Sequence, residues 1–163
     1  MMRYTERFQT CVAIILENEG GYVNDPQDAG GETNFGISKR AFPDLDIKNL
    51  SIEEAISIYH KKYWSPIKGD YIVGADLAFQ VFDMAVNAGI SVAVKILQSA
   101  VGTHVDGIIG PATLNAIYKY PSIEGLLWRY KFDRAKYYAK IVSKNHSQAK
   151  FLMGWINRIN KTI

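Results

Sequence analysis

Residues 16–38 read LENEGGYVNDPQDAGGETNFGIS, and this stretch decides how the rest of the chain is interpreted. A helical pattern of apolar residues runs into it and ends at Gly20-Gly21, because glycine tolerates the left-handed conformation that ends helices. Turn-forming residues with several carboxylates follow, and Phe35-Gly36-Ile37 closes the segment. Catalytic and binding residues tend to lie on loops that a rigid scaffold positions. We therefore expect this stretch to carry the functional site.

The composition indicates a folded domain of ordinary size. The chain has 163 residues, of which 48% are hydrophobic and 12% aromatic, enough to bury a substantial core. The formal net charge of +3 weakly favours anionic partners such as cell-wall polymers, but it is too small to indicate a nucleic-acid partner. The single cysteine, Cys11, excludes an internal disulfide and is predicted to be a buried thiol.

The sequence gives no indication of membrane insertion. A membrane span requires about 20 consecutive apolar residues, and no segment approaches that length. The short apolar run at residues 11–16 has acidic Glu6 upstream and no small-residue cleavage site after it, unlike a signal peptide. We therefore expect synthesis in the cytoplasm without a signal peptide. A target in the periplasm or cell wall would then require release through a holin or a secretion channel.

Apolar periodicity predicts a mainly α fold, a helical bundle with one small β-hairpin or loop region near residues 22–37. Thr5 is the expected N-cap of the first helix, and Ser51 begins a capping box with Glu54. Further helices are predicted over residues 76–88, 91–101, 111–118 and 122–145. Ser91 is the expected cap of the second of these, and Ser147 is the expected cap of a last helix. A change of lobe is expected near Gly89, which divides the chain into residues 1–89 and 90–163.

The histidines do not indicate a metal site. His60 is expected to face solvent among lysines, and His104 and His146 lie far from it in sequence. The acids of the opening loop do not follow the spacing of an EF-hand calcium loop. We therefore predict no metal and no cofactor.

The acids of the opening loop suit the hydrolysis of a glycosidic bond. This reaction needs a protonated carboxyl for the leaving oxygen and a second, ionised group. Glu19, at a helix end beside apolar residues, suits the first role, and Asp28, in a polar turn, suits the second. Thr33 offers a hydroxyl to hold the attacking water. Asp25 competes for the second role, although an Asn-Asp-Pro aspartate often only bonds its own backbone.

The motif Glu19–Pro26, EGGYVNDP, resembles the signature of glycoside hydrolase family 108. The likeness continues through Asp28, Gly30-Gly31, Thr33-Asn34 and Gly36-Ile37. That family comprises N-acetylmuramidases found among phage endolysins and bacterial secretion-associated muramidases. The resemblance implies a lysozyme-like α+β fold and bacteriolytic cleavage of the β-1,4 bond between N-acetylmuramic acid and N-acetylglucosamine. It also implies that Glu19 is the essential catalytic residue.

The second half resembles the predicted peptidoglycan-binding region that accompanies this family. The resemblance lies in Ala85–Gly89, AVNAG, and Asp106–Thr113, DGIIGPAT. It implies a muramidase lobe over residues 1–89 and a helical peptidoglycan-binding-like subdomain over residues 90–163. Peptidoglycan glycan strands are the implied partner.

Further roles are assigned to residues from their positions relative to the motifs that resemble the family. The spacing of Glu19, Asp28 and Thr33 resembles the Glu-Asp-Thr triad of phage-type lysozymes, with the threonine one residue closer. Four residues are assigned to substrate binding: Tyr22 for sugar stacking, Asn34 and Asn87 for acetamido groups, and Asp25. Tyr22 packing over the helix end and Asn87 as a helix C-cap are the structural alternatives. The functional alternatives are a non-catalytic peptidoglycan-binding or secretion-accessory protein and a lytic transglycosylase.

Overall fold

The computed structural model describes residues 4–24 and 31–163. The chain forms two compact units, Met1–Lys62 and Tyr63–Ile163, which are described separately. Most described residues are helical, and one small antiparallel sheet lies in the first unit. This confirms the predicted fold class. No helix in the described ranges is long and apolar enough to cross a membrane.

The first unit begins with helix α1, Glu6–Glu19. The Thr5 hydroxyl accepts a 3.3 Å hydrogen bond from the Phe8 amide, which confirms the predicted N-cap. Gly20 ends the helix with φ +73°. The apolar stripe of α1 is buried, and its members are Phe8, Cys11, Val12 and Ile15. The thiol of Cys11 is therefore part of the core, as predicted.

A three-stranded antiparallel sheet follows α1 in the order β1-β2-β3. The strands are β1, Val23–Asn24, β2, Glu32–Asn34, and β3, Ile37–Ser38. In the register, Thr33 of β2 lies between Val23 and Ser38. Strands β2 and β3 are joined by Phe35 and Gly36 alone, with φ +51° and +75°. A two-residue loop with both φ values positive is the type I′ turn, whose twist matches that of the flanking strands.

Helix α2, Ile52–Tyr59, begins with the predicted capping box of Ser51 and Glu54. A π-helical turn, His60–Trp64, continues it. The expectation that His60 faces solvent was wrong. Its half-buried ring lies 4.8 Å from the ring centres of both Tyr4 and Phe8, because the residues before and within α1 offer aromatic neighbours. The lysines beside it in sequence give no indication of these contacts.

The second unit is a helical assembly around α3, Ala75–Ala88, whose residues 77–85 are all buried. Helices α4, Ile90–Val101, and α6, Ile123–Lys144, both pack against α3. Helix α5, Pro111–Tyr118, packs on α4, and α7, Leu152–Asn160, packs on α6. Short 3₁₀ segments, Gly69–Tyr71 and His146–Phe151, precede α3 and α7.

Two predicted serine caps were wrong. Helix α4 begins at Ile90, directly after Gly89, so Ser91 already lies within the helix. Gly89, at φ +92°, ends α3 and also precedes α4, which leaves no room for a separate cap. Near the end of the chain, Asn145 rather than Ser147 is the capping residue, since its side chain accepts the Ser147 amide. Helix α7 itself begins only at Leu152.

A buried ion network joins three helices of the second unit. Asp83 of α3 is 2.7 Å from Arg134 of α6 and 3.0 Å from Arg158 of α7. The side chains of Asp83 and Arg134 are at most 1% exposed. Arg134 also donates to the backbone and side-chain oxygens of Gln80. Losing one member of such a buried pair leaves an uncompensated charge, so the network favours one arrangement of these helices.

Candidate active site

Glu19 is the last residue of α1, and its side chain is half-buried. Because Gly20 leaves the helix at once, Glu19 lies between a rigid helix and the start of the hairpin. The last turn of α1 contains no basic residue. The sequence pattern thus placed this glutamate correctly at the helix end, although its catalytic role stays a prediction.

The type I′ turn lies directly against the Glu19 side chain. A Cβ added to Gly36 would lie 2.8 Å from Glu19 Cβ, 2.8 Å from Glu19 Cγ and 2.8 Å from Tyr59 Oη. Heavy atoms do not approach that closely without displacement, and the φ of +75° independently favours glycine. Gly36 therefore lets the turn contact the glutamate stem, which restricts where the Glu19 carboxyl can lie.

Tyr59 of α2 holds this turn in place. Its side chain is 2% exposed, and its hydroxyl donates a 2.8 Å hydrogen bond to the Phe35 carbonyl oxygen. Phe35 has φ +51°, a conformation that costs a residue with a Cβ about 1–2 kcal/mol. The hydrogen bond offsets part of this cost. Nothing in the local sequence pattern indicates this contact, since the two residues are 24 positions apart.

Thr33 and Asn34 lie on β2, the central strand. Thr33 is half-buried, and its side chain is on the opposite face of the sheet from Asn34 because side chains alternate along a strand. Asn34 is 6% exposed, and its Nδ2 donates a 3.1 Å hydrogen bond to the Ile47 carbonyl oxygen. That contact gives Asn34 a structural role. The water-holding role of Thr33 and the substrate contact of Asn34 stay predictions.

Tyr22 is 40% exposed, so its ring is accessible beside the sheet. Its hydroxyl donates a 2.7 Å hydrogen bond to Glu32 Oε1, and this bond to a carboxylate raises the pKa of the Tyr22 phenol. The hydrogen bond joins Tyr22, which precedes β1, to Glu32 on β2. Glu32 was not among the predicted site residues, although a hairpin over residues 22–37 already brings these two side chains near each other.

The remaining predicted site residues are Asp25, Asp28 and Asn87. Asp25 and Asp28 fall outside the described residues. Asn87 belongs to the second unit, where its Oδ1 accepts a 2.6 Å hydrogen bond from the Tyr138 hydroxyl. Gly89, and not Asn87, is the C-cap of α3, so the capping alternative for Asn87 was wrong.

A cavity of about 500 Å³ lies beside the helix end in the first unit. Its walls are mostly apolar and come from α1, α2 and the turn, and they include Leu16, Gly20, Phe35, Ile52 and Ile56. This size is within the usual range of ligand pockets. Phe35 therefore contributes its carbonyl to the Tyr59 contact and its side chain to this cavity. The sequence pattern did not indicate the cavity.

Within residues 4–24 and 31–163, no group of three or more histidine, cysteine, aspartate or glutamate side chains could hold a metal ion. The described part of the site offers carboxyl, hydroxyl and amide groups. Glu19 ends α1, and its Cβ and Cγ lie beside Gly36 of the turn.

A mainly helical chain with a small antiparallel sheet after the first helix, and a glutamate between them, has a lysozyme-like α+β fold. The family model for Glycosyl hydrolase 108 matches residues 12–89, and the model for a Predicted Peptidoglycan domain matches residues 92–160. The chain belongs to the glycosyl hydrolase 108 family. It is therefore a glycoside hydrolase that acts on peptidoglycan.

The solved structure of Brucella abortus SagA is similar to this chain. The two share 30% sequence identity with a TM-score of 0.79, over 93% of this chain and 88% of that one. No curated protein matches the chain. The two family matches meet between residues 89 and 92, whereas the compact units meet at residues 62 and 63. The predicted functional division at residue 89 stays a prediction.

Proposed function

We propose that this protein is an N-acetylmuramidase that cleaves the β-1,4 bond between N-acetylmuramic acid and N-acetylglucosamine, with Glu19 as general acid. The observation that carries the proposal is the packing of Glu19. Its Cβ and Cγ lie against Gly36, in the turn whose Phe35 carbonyl is bound by Tyr59. A general acid must be held within reach of one oxygen atom, and this packing restricts Glu19 in that way.

The proposed reaction uses two carboxyl groups, one as the proton donor and one as the proton acceptor. Glu19 gives its proton to the glycosidic oxygen, and the bond from that oxygen to the anomeric carbon of N-acetylmuramic acid breaks. A water held by the Thr33 hydroxyl adds to the anomeric carbon, and its proton passes to an ionised carboxylate. We assign that carboxylate to Asp28, with Asp25 as the alternative. The products are a free reducing N-acetylmuramic acid end and a free hydroxyl on N-acetylglucosamine.

We assign the sugar contacts to Tyr22, Asp25, Asn34 and Asn87. The exposed ring of Tyr22 supports its role, because pyranose faces stack on accessible aromatic rings and the Glu32 contact holds this ring still. Asn34 has already committed one amide N–H to Ile47, so its carbonyl oxygen and second N–H are the groups left for an acetamido contact.

The protein then acts as a bacteriolytic, endolysin-like enzyme that degrades the cell wall. The second half, matched by the peptidoglycan-domain model, holds the glycan strand. We propose cytoplasmic synthesis and release through a holin or secretion channel to the periplasm or wall.

Digestion of purified peptidoglycan sacculi, followed by mass spectrometry of the soluble products, tests the proposed bond specificity. Free reducing N-acetylmuramic acid ends are expected. Ends of 1,6-anhydro-N-acetylmuramic acid would instead identify a lytic transglycosylase, and reducing N-acetylglucosamine ends would identify cleavage of the other glycosidic bond. Binding to sacculi without any release of saccharides would contradict catalysis by this chain.

A further inference from the structure

The second unit contains a cavity of about 500 Å³ that the proposed reaction does not use. It lies between the start of α3 and the first half of α6, and residues Asn160 and Thr162 also contribute to its wall. Leu77 and Leu127 supply apolar surface, and the charged residues of the wall are Asp76, Glu124 and Lys131. A mostly apolar cavity with a few convergent polar groups is typical of ligand sites.

Trp128 forms an accessible aromatic wall of this cavity. It lies on α6, and its side chain is 62% exposed. Tryptophan is enriched at binding interfaces because its ring has a large apolar face and an N–H at its edge. The C–H-rich face of a pyranose ring can pack on that apolar face.

Lys131 lies one turn further along α6 and is only 7% exposed. Its Nζ is 5.3 Å from the centre of the Trp128 ring, and no described residue gives it a hydrogen bond or an ion pair. Burial lowers the pKa of Lys131, while the charge of Asp76 opposes that effect. Asp76 itself accepts a 2.9 Å hydrogen bond from the Ile163 amide. The Lys131 ammonium contacts a ring and has no ion pair with a described residue, so a carboxylate that enters the cavity can add a charge-assisted hydrogen bond to it.

We propose that this cavity binds one saccharide unit of peptidoglycan, with the sugar ring on the Trp128 indole and a carboxylate of the same ligand on the Lys131 ammonium. The choice of ligand rests on the proposed function, and the site is separate from Glu19. Peptidoglycan carries suitable carboxylates in two places, on its stem peptides and, where those are removed, on the lactyl group of N-acetylmuramic acid. A neutral glycan such as chitin carries neither and therefore cannot satisfy Lys131.

The test uses the full chain carrying Glu19→Gln, so that substrate is not consumed, and measures binding to insoluble sacculi by sedimentation. Adding Trp128→Ala or Lys131→Met is expected to weaken binding about tenfold, the loss of one stacked ring or one charge-assisted hydrogen bond. The matched controls are Phe132→Ala and Lys136→Met. These two residues form another exposed aromatic–lysine pair on α6, with Nζ 5.8 Å from the ring centre, and should change binding less than twofold.

Two further probes identify the carboxylate. An amidase removes the stem peptides from sacculi and leaves free lactyl carboxylates. The Lys131 effect should increase on stripped sacculi if the lactyl group is the ligand and disappear if a stem peptide is. Chitin should bind Lys131→Met and the parent equally. Trp128 is exposed, so Trp128→Ala keeps the test valid even if Lys131→Met fails to fold.

Unchanged binding of Trp128→Ala, an equal loss in the control pair, or no binding by the parent would overturn the proposed site. The two proposals fail separately. A chain that releases reducing N-acetylmuramic acid ends while Trp128→Ala binds normally rejects only this site. A chain whose binding depends on Trp128 but that releases no saccharide rejects only the proposed reaction.

Discussion

The Tyr59 hydroxyl donates a 2.8 Å hydrogen bond to the carbonyl oxygen of Phe35, and so joins α2 to the turn that lies against Glu19. Phe35 is in the left-handed region, and Gly36 follows it in the same region. The left-handed conformation is unfavourable at Phe35, which has a Cβ, and is readily adopted by Gly36. The contact with a buried tyrosine explains how that conformation is maintained beside the candidate acid.

Tyr59→Phe is expected to reduce both stability and turnover. Loss of one hydrogen bond to a part-buried carbonyl lowers the free energy of unfolding by about 1 kcal/mol, which urea denaturation measures. Because the turn then holds Glu19 less firmly, kcat on sacculi should fall more than KM rises. Tyr71→Phe, at an exposed residue, is the control and should leave both quantities unchanged. Full turnover of sacculi by Tyr59→Phe would contradict a role of the turn in catalysis.

Gly36→Ala is expected to remove most activity by displacing Glu19. The new Cβ would lie 2.8 Å from two atoms of that side chain, and at φ +75° alanine is strained by about 1–2 kcal/mol. Gly102→Ala separates the backbone strain from the steric contact. Gly102 has φ +77°, but a Cβ added there would have no neighbouring atom within 4 Å. Both variants should lose the stability that the backbone strain costs, as measured in urea, and Gly36→Ala should lose more because its Cβ also displaces neighbouring atoms. Only Gly36→Ala should lose lytic activity, and equal activity losses would contradict the positioning role.

Asp83→Asn is expected to destabilise the second unit strongly. The substitution leaves two arginines without their shared carboxylate, and breaking a buried pair costs about 3–5 kcal/mol. Asp133→Asn is the matched control, because Asp133 pairs with exposed Arg129 and Lys136 and such surface pairs contribute about 0–1 kcal/mol. Urea denaturation of both variants measures the difference. Similar values would mean that the network contributes little to stability.

Asp106→Asn is expected to make the free energy of unfolding depend less on pH in the acid range. Hydrogen bonds from the Gln98 side chain and the Ile108 amide lower the pKa of Asp106 in the folded chain. A lowered folded-state pKa stabilises the protein above the ordinary aspartate value of about 4, and this contribution is lost as pH falls through the lower folded value. The stability difference between wild type and Asp106→Asn should therefore be largest near neutral pH and shrink in acid. A difference independent of pH would contradict this linkage.

The sequence predicted those features that depend on local patterns. The cap at Thr5, the capping box at Ser51 and the end of α1 at Gly20 follow from side-chain chemistry within a few residues. Contacts between distant segments were not predictable in this way. The Tyr59–Phe35 hydrogen bond and the aromatic contacts of His60 depend on how helices pack, and a single sequence does not encode these contacts as a local pattern.

The distinction between local patterns and contacts between distant segments also applies to the candidate active site. The position of Glu19 follows from helix periodicity and two glycines, and its packing against Gly36 explains why a glycine stands in the turn. The roles of Thr33 and Asn34 were argued from residue type and spacing. Only the structure reveals that Asn34 is buried and bonded to Ile47. Residue type indicates available chemistry, whereas burial decides which groups remain accessible to a substrate.

The turnover of Glu19→Gln on purified sacculi tests the central claim most directly. Glutamine keeps the size of the side chain, so folding measured by circular dichroism and urea denaturation should stay close to wild type. Because general acid catalysis contributes about 10²–10⁴ in rate, release of reducing N-acetylmuramic acid ends should fall by at least about a hundredfold. Glu17→Gln, at an exposed residue on the same turn of α1, should retain wild-type turnover. A folded Glu19→Gln variant with wild-type turnover would contradict the assignment of Glu19 as the acid.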